Sequence, residues 1–307
     1  MLRTAAVALA FTLAAAGLAD GAADTVRVVA RITTGIGPCS ETGGYGAVWV
    51  GNYGDSTVAR IDPKTNRVTG KVKVGATPCG IGIGARSVWV DGWGTGAVER
   101  IDPRRLKVVK RIKVAGPNAL WDVTYGAGSV WGTDYIRGLV IRIDPRTNRI
   151  VARIRTGGAP SNLRYGAGAV WVGSQSGTSI FRIDPATNRS TAIETKQTGP
   201  ASPAVGADGL WVAANSPGTV TRIDPATNGV VATIQVGAQP SNPAIAPNGH
   251  VFVPLKGENR LAEIDPATNT VIGKIVVGPG PFPAAEAFGD IWVPSYKGTQ
   301  VFRIRAG

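Results

Sequence analysis

Histidine occurs once in these 307 residues, methionine once and cysteine twice. One histidine rules out the clustered imidazoles of a histidine-rich metal centre, and two cysteines rule out a four-thiolate zinc or iron–sulfur site. The chain contains no Gly-x-Ser-x-Gly elbow and no nucleotide-binding glycine loop, and no segment carries a helical apolar period. Acidic residues are also few, 20 against 33 lysines and arginines, for a formal net charge of +13. After residue 23 no apolar run is long enough to span a bilayer as a helix.

Residues 1–23 read as a secretory signal peptide. Arg3 precedes the apolar stretch Ala5–Leu18, and small residues follow at Ala19, Ala22 and Ala23. No cysteine lies near the cleavage region, so no lipid anchor is expected. Cleavage would remove Arg3 and Asp20 together and leave the charge at +13. A secreted or periplasmic monomer is the expectation.

Two ladders of short motifs run through the rest of the chain. Ile-Asp-Pro places aspartates at 62, 102, 144, 184, 224 and 265, spaced 40 to 42 residues apart, and x-Thr-Asn follows in every copy except Arg104-Arg105. In step with it are Val48-Trp49-Val50, Val88-Trp89-Val90, Val130-Trp131-Gly132, Val170-Trp171-Val172, Leu210-Trp211-Val212, Val251-Phe252-Val253 and Ile291-Trp292-Val293. A period near 40 made of short β-branched runs with Gly, Pro and Asn punctuation predicts an all-β fold, a β-propeller with four-stranded blades. The second ladder has seven rungs and so predicts seven blades. The chain ends just after Val301-Phe302-Arg303-Ile304, whereas Thr25–Ile32 reads like the outer strand Thr147–Ile154. The N-terminal strand is therefore expected to complete the seventh blade and close the ring. Residues 24–307 would form one domain.

The repeated residues read as scaffold. Asp accepts a backbone hydrogen bond in the turn, Pro presets φ, and Asn tolerates the left-handed conformation before the outer strand. The tryptophans fill the wedges between blades. An arginine precedes Ile-Asp in most blades (Arg60, Arg100, Arg142, Arg182, Arg222), with Arg303 at the matching place and Glu263 in the sixth.

Function is expected where the repeats differ. The loops that open each blade and those joining its second and third strands share one face, the mouth of the central channel. They offer Tyr53, Trp93, Trp121, Asp122, Asp134, Tyr135, Ser161, Asn162, Asn215 and Asn242, an aromatic and amide surface with a few carboxylates. Phe282-Pro283 and Tyr296-Lys297 belong to the same loops, and the third blade has three extra residues before Trp121. The plainer alternative is a set of ordinary solvated loop residues. Cys39 and Cys79 hold the same place in consecutive blades, where a disulfide is expected in an exported protein. The first three outer strands, counted from the residue after each Asp-Pro, carry fourteen cations and no acid, among them Lys71, Lys73, Arg105, Lys107, Arg111, Lys113, Arg153 and Arg155. This basic rim either keeps edge strands from pairing or docks anionic envelope polymer, membrane headgroups or nucleic acid.

The blade pattern Gly-x-x-Pro…Val-Trp-Val-Gly-Asn…Arg-Ile-Asp-Pro-x-Thr-Asn…Ile-x-Val-Gly resembles the YVTN-type bacterial β-propeller repeat family. It is also similar to the repeats of streptogramin (virginiamycin B) lyases. The resemblance spans nearly the whole chain after residue 23 and implies the propeller fold. The lyases use a magnesium site and a histidine base, with more than one histidine, whereas this chain offers only His250, on a hairpin turn at the opposite face. The expectation is a binding module taking a small molecule or protein at the mouth, with no cofactor. The alternatives are a lyase or hydrolase using Asp122 and Asp134 with a divalent metal, and a polyanion-binding protein.

Overall fold

The computed structural model describes residues 25–307, so the signal-peptide reading of residues 1–23 lies outside the described residues. Among the described residues there is no helix, and hence none long and apolar enough to cross a membrane. Seven antiparallel sheets of four strands make up the fold. Blade 1 runs outward from the channel as Pro38–Gly44, Ala47–Asn52, Thr57–Asp62 and Arg67–Lys73. Blades 2 to 6 repeat that order over 81–113, 120–155, 160–194, 200–235 and 244–276. Blade 7 combines Ala285–Ala287, Asp290–Pro294 and Gln300–Arg305 with the N-terminal strand Arg27–Thr33. The expected closure is thus present. The innermost strands touch in sequence and the last touches the first.

Inner faces are buried because each sheet lies between two others. Trp49, Trp89, Trp131, Trp171, Trp211, Phe252 and Trp292 are at most 1 % exposed. Trp131 packs with Leu163, Val170 and Val172 of the following blade, and Trp89 with Ile141 and Ile143. Most of the indoles donate to a carbonyl five residues earlier, as Trp131 Nε1 does to Gly126 at 2.9 Å. That bond satisfies the one polar group each ring buries. Inner strands approach closely enough that a Cβ at Gly82 would overlap the backbone of Thr124 and Tyr125.

The turn motif works as read. Asp144 accepts from Arg146 N–H at 2.8 Å and from the Thr147 hydroxyl, and Asn148 adopts φ 57°. The structure adds a partner in the neighbouring blade. Arg142 lies over Trp131 of its own blade and donates to Pro185 O (2.6 Å) and Asn188 Oδ1 (2.9 Å) in the next blade's turn. Arg100 does the same to Pro145 and Asn148, Arg222 to Pro266 and Asn269, and Arg303 to Pro63 and Asn66 across the closure. The turn conformation aims the Pro carbonyl and the Asn amide oxygen at one guanidinium, and the planar fork takes both.

Among the described residues three positions depart from this, and at one the turn is intact: Arg182 lies over Trp171 but makes no bond to the next turn, and its Nε and Asn228 Oδ1 are buried without partners. Arg60 faces the degenerate turn, where Leu106 replaces Asn at φ 51°, and its Nε is buried without a partner. Blade 6 carries Glu263 in place of arginine, and the blade after it is split between the chain ends and has no Asp-Pro turn to grip. Glu263 instead meets His250 Nδ1 at 2.7 Å. Asn248 caps the chain end through a bond to Ala306 O at 2.7 Å.

Arg142→Met should therefore cost about 2 kcal/mol, a Tm loss of roughly 4 °C or more for a domain this size. Arg60→Met, which breaks no such pair, should leave Tm nearly unchanged or raise it. Equal losses for the two variants in parallel thermal melts would show that the latch contributes nothing of its own to stability.

Candidate functional site

The loop after the second strand reaches the mouth at one repeated position, occupied in turn by Tyr53, Trp93, Tyr135, Gln175, Asn215, Lys256 and Tyr296. A repeated backbone bond fixes it: Tyr53 N–H donates to Gly37 O, Tyr135 N–H to Ala119 O, Lys256 N–H to Gln239 O and Tyr296 N–H to Gly280 O. The aromatic members fall on blades 7, 1, 2 and 3 and the polar ones on blades 4, 5 and 6. The mouth is therefore lopsided.

Two aromatic groups result. Tyr296 meets Tyr53 edge-on at 5.8 Å between ring centroids and Phe282 at 6.4 Å. Trp121 stacks on Tyr135 at 5.2 Å and meets Trp93 edge-on at 5.2 Å. The extra residues of the third blade support this second group, since Asn118 N–H reaches back to Trp93 O at 2.7 Å. Between the groups lies a cavity of about 450 Å³, bordered also by the Cys39–Cys79 disulfide, Asp122, Asn162, Arg164, Lys256 and Lys297. The disulfide joins consecutive blades at a Cα separation of 5.0 Å. Closing that loop contributes about 4 kcal/mol if the stabilisation comes from unfolded-chain entropy.

Of the residues expected at the mouth, Tyr53, Trp93, Trp121, Asp122 and Asn162 border the cavity. The other five do not. Tyr135 acts from behind, through its stack on Trp121. Asp134 is 1 % exposed and accepts from Arg137 N–H in its own turn, at 3.0 Å. Ser161 is buried and donates to Ala201 O, Asn242 is buried, and Asn215 sits outside the lining. Alternation along the strand accounts for one of these placements: Ser161 points into the blade packing while its neighbour Asn162 borders the cavity. His250 belongs to the hairpin at the latch end of its blade. Among the described residues no three His, Cys, Asp or Glu side chains converge as a metal site would require.

The inner strands bring in two residues that the loop positions alone do not point to, Arg164 in the cavity lining and Glu41 buried next to the lining residue Ser40. Arg164 Nη1 donates to Asp122 Oδ2 at 3.0 Å, an ion pair that Leu163 N–H and Val123 N–H complete from the backbone. Glu41 is 3 % exposed, and neither of its carboxyl oxygens has a partner. Burial pushes its pKa well above the ordinary value, against the pull of Arg164. Asp91 is pushed up likewise, chiefly by burial and further by Asp122, although Cys79 N–H donates to it at 2.6 Å.

A signal for both was present in the repeats. Opposite the ladder tryptophan, the inner strands carry Thr42, Gly82, Thr124, Arg164, Ala204 and Ala285. One position earlier they carry Glu41, Ile81, Val123, Leu163 and Pro203. Arg164 and Glu41 are the charged exceptions in these two columns. Lys256 is the equivalent of Tyr53 in the sixth blade.

The rim strands show a regular arrangement. Arg67, Lys71 and Lys73 in blade 1 align with Lys107, Arg111 and Lys113 in blade 2 and with Arg149, Arg153 and Arg155 in blade 3, all nine exposed. Ring closure adds Arg27 and Arg31 of blade 7 to the same arc. Arg111 is partly neutralised by Glu99 at 3.1 Å, and Arg105 approaches Asp102 at 3.8 Å.

No protein-family profile matches the chain, and no curated protein matches it in sequence. Among solved structures, virginiamycin B lyase from Staphylococcus aureus superposes with a TM-score of 0.81 at 15% identity, over 92% of this chain and 100% of that one. Kuenenia stuttgartiensis hydrazine synthase gives 0.77 at 17%, over 90% and 97%. The WD40 propeller domain of Doa1 gives 0.78 at 10%, over 92% and 98%. These likenesses establish the fold, and the resemblance drawn from the repeats holds at that level.

Glu41 also makes a prediction about pH. Its folded-state pKa lies above the ordinary 4.5. In the window between those values the folded chain holds a proton that the unfolded chain has released, so stability falls as pH rises. Glu41→Gln should match the parent Tm near pH 4, exceed it at pH 8 and flatten the slope between. Melts across that range that show an unchanged slope would contradict the buried neutral acid.

Proposed function

We propose that this protein is an extracytoplasmic ligand-binding propeller whose channel mouth is the ligand face. The observation that carries this reading is the aromatic-bordered cavity: concave, largely apolar, with a few polar groups at its floor, as small-molecule sites are. Two ring clusters from four different blades converge there, and the disulfide fixes one wall. Exposed loops have no need of such convergence for folding. A bond between Cys39 and Cys79 supports an oxidising compartment. Aryl fluorescent probes test the reading directly. Phenylnaphthylamine (neutral) or anilinonaphthalenesulfonate (anionic) should bind saturably at one site, and Trp93→Ala with Trp121→Ala should weaken the binding at least tenfold without lowering Tm much. Binding indifferent to both substitutions, or no saturable binding of either probe, would overturn the mouth as ligand face.

The alternative of a metal-dependent lyase or hydrolase draws support only from the fold. Asp122 is held by Arg164 and two backbone N–H groups, and Asp134 lies outside the cavity lining.

A second reading rests on the aligned rim cations: a linear phosphate polymer lying along the outer strands of blades 7, 1, 2 and 3. Binding of a short DNA duplex as probe should fall steeply with salt. Lys71→Gln, Lys113→Gln and Arg153→Gln together should reduce the log–log salt slope by roughly 3, one counterion for each phosphate no longer neutralised. A slope unaffected by the substitutions would return the rim to edge protection.

A further inference from the structure

The charges around the cavity do not cancel. Arg164 and Asp122 neutralise each other at 3.0 Å. Two nearby carboxyls, Glu41 and Asp91, lie outside the cavity lining and are buried in surroundings that favour their neutral forms. Lys256 and Lys297 are left, both bordering the cavity and neither in an ion pair among the described residues. Lys256 stands 5.2 Å over the ring of Phe282, and burial lowers its pKa. Lys297 follows Tyr296, whose ring meets Phe282 edge-on. Two unpaired ammonium groups thus sit beside the same aromatic cluster, in a pocket whose opposite wall is Trp93 and Trp121.

Lys256 is half-buried and Lys297 exposed. A half-buried ammonium without a carboxylate partner is costly, and an aromatic face offsets only part of that cost. An anion placed in the cavity would supply the missing partner in a setting of low dielectric, where the attraction is stronger than in water. A flat apolar body would at the same time cover the indole and phenyl faces. Neutral ligands would leave both ammonium groups unpaired, and cationic ones would face repulsion.

We propose that the mouth is selective for small anionic aromatic molecules, with an acid group at Lys256 and Lys297 and a ring system set between the Phe282–Tyr296 and Trp93–Trp121 walls. This inference rests on the mouth being the ligand face and adds the chemical class of the ligand.

The matched pair of aryl probes separates the two ideas. In the full chain at physiological salt, anilinonaphthalenesulfonate should bind at one site at least tenfold more tightly than phenylnaphthylamine. Lys256→Met with Lys297→Met should remove that preference by weakening the sulfonate probe roughly tenfold and leaving the neutral probe unchanged. Lys71→Glu with Lys113→Glu on the rim should change neither. Equal affinities for the two probes, each sensitive to Trp93→Ala and Trp121→Ala, would overturn the anion selectivity and leave the mouth site standing. A sulfonate preference lost with the rim lysines and kept without Lys256 and Lys297 would also overturn it, by placing the probe on the outer strands. Failure of both probes to bind would remove site and selectivity together.

Discussion

A four-stranded sheet in this chain cannot bury either face by itself, so every blade depends on the contact with its neighbour. That contact has an apolar half and a polar half. The ladder tryptophan fills the wedge, and at four of the seven seams the arginine lying over it reaches into the next blade to take the proline carbonyl and asparagine oxygen of the turn. Because Arg303 grips Pro63 and Asn66, the same contact joins the last blade to the first. The ring is therefore held at its closure as it is elsewhere, and the N-terminal strand pairs with the last strand of the chain over that seam.

Departures from the repeat fall into two physical kinds. Some are dictated by topology: Glu263 stands where no turn follows to be gripped, and Arg60 lacks its partner because Leu106 replaces asparagine. Others have no scaffold explanation. Glu41 and Arg164 interrupt columns of small or apolar residues on the inner strands, and Lys256 interrupts the mouth ring beside Phe282. A buried unpartnered carboxyl and an arginine anchored on Asp122 both weigh against stability unless the floor has another use. Arg164 borders the aromatic cavity and Glu41 adjoins Ser40 of its lining, which gives that use a place.

The molecule is polarised in two directions. Aromatic residues gather at the mouth on blades 7, 1, 2 and 3, and the same blades carry the rim cations on their outer strands. Blades 5 and 6 expose Val230, Val231, Ile272 and Val276 instead. One half of the ring thus presents charge outward and rings inward, around a scaffold that is otherwise close to sevenfold.

The number of blades, the split seventh blade, the tryptophan core, the turn chemistry and the cysteine pair were all legible in the sequence. Each follows from a local pattern or from a spacing near 40 residues. Alternation along a strand needs no knowledge of distant residues, and neither does a turn that satisfies its own backbone. The site was legible only in part. Tyr53, Trp93, Trp121, Asp122 and Asn162 could be placed at the mouth from loop position, but Asp134, Ser161, Asn215 and Asn242 could not be told from them, because the side a residue faces depends on register and on a bulge in the inner strand. The arginine latch, the Arg164–Asp122 pair, the buried Glu41 and the unpaired Lys256 and Lys297 were decided by tertiary structure alone. They join residues from different blades, and their electrostatics arise from burial, which exists only once the ring has closed.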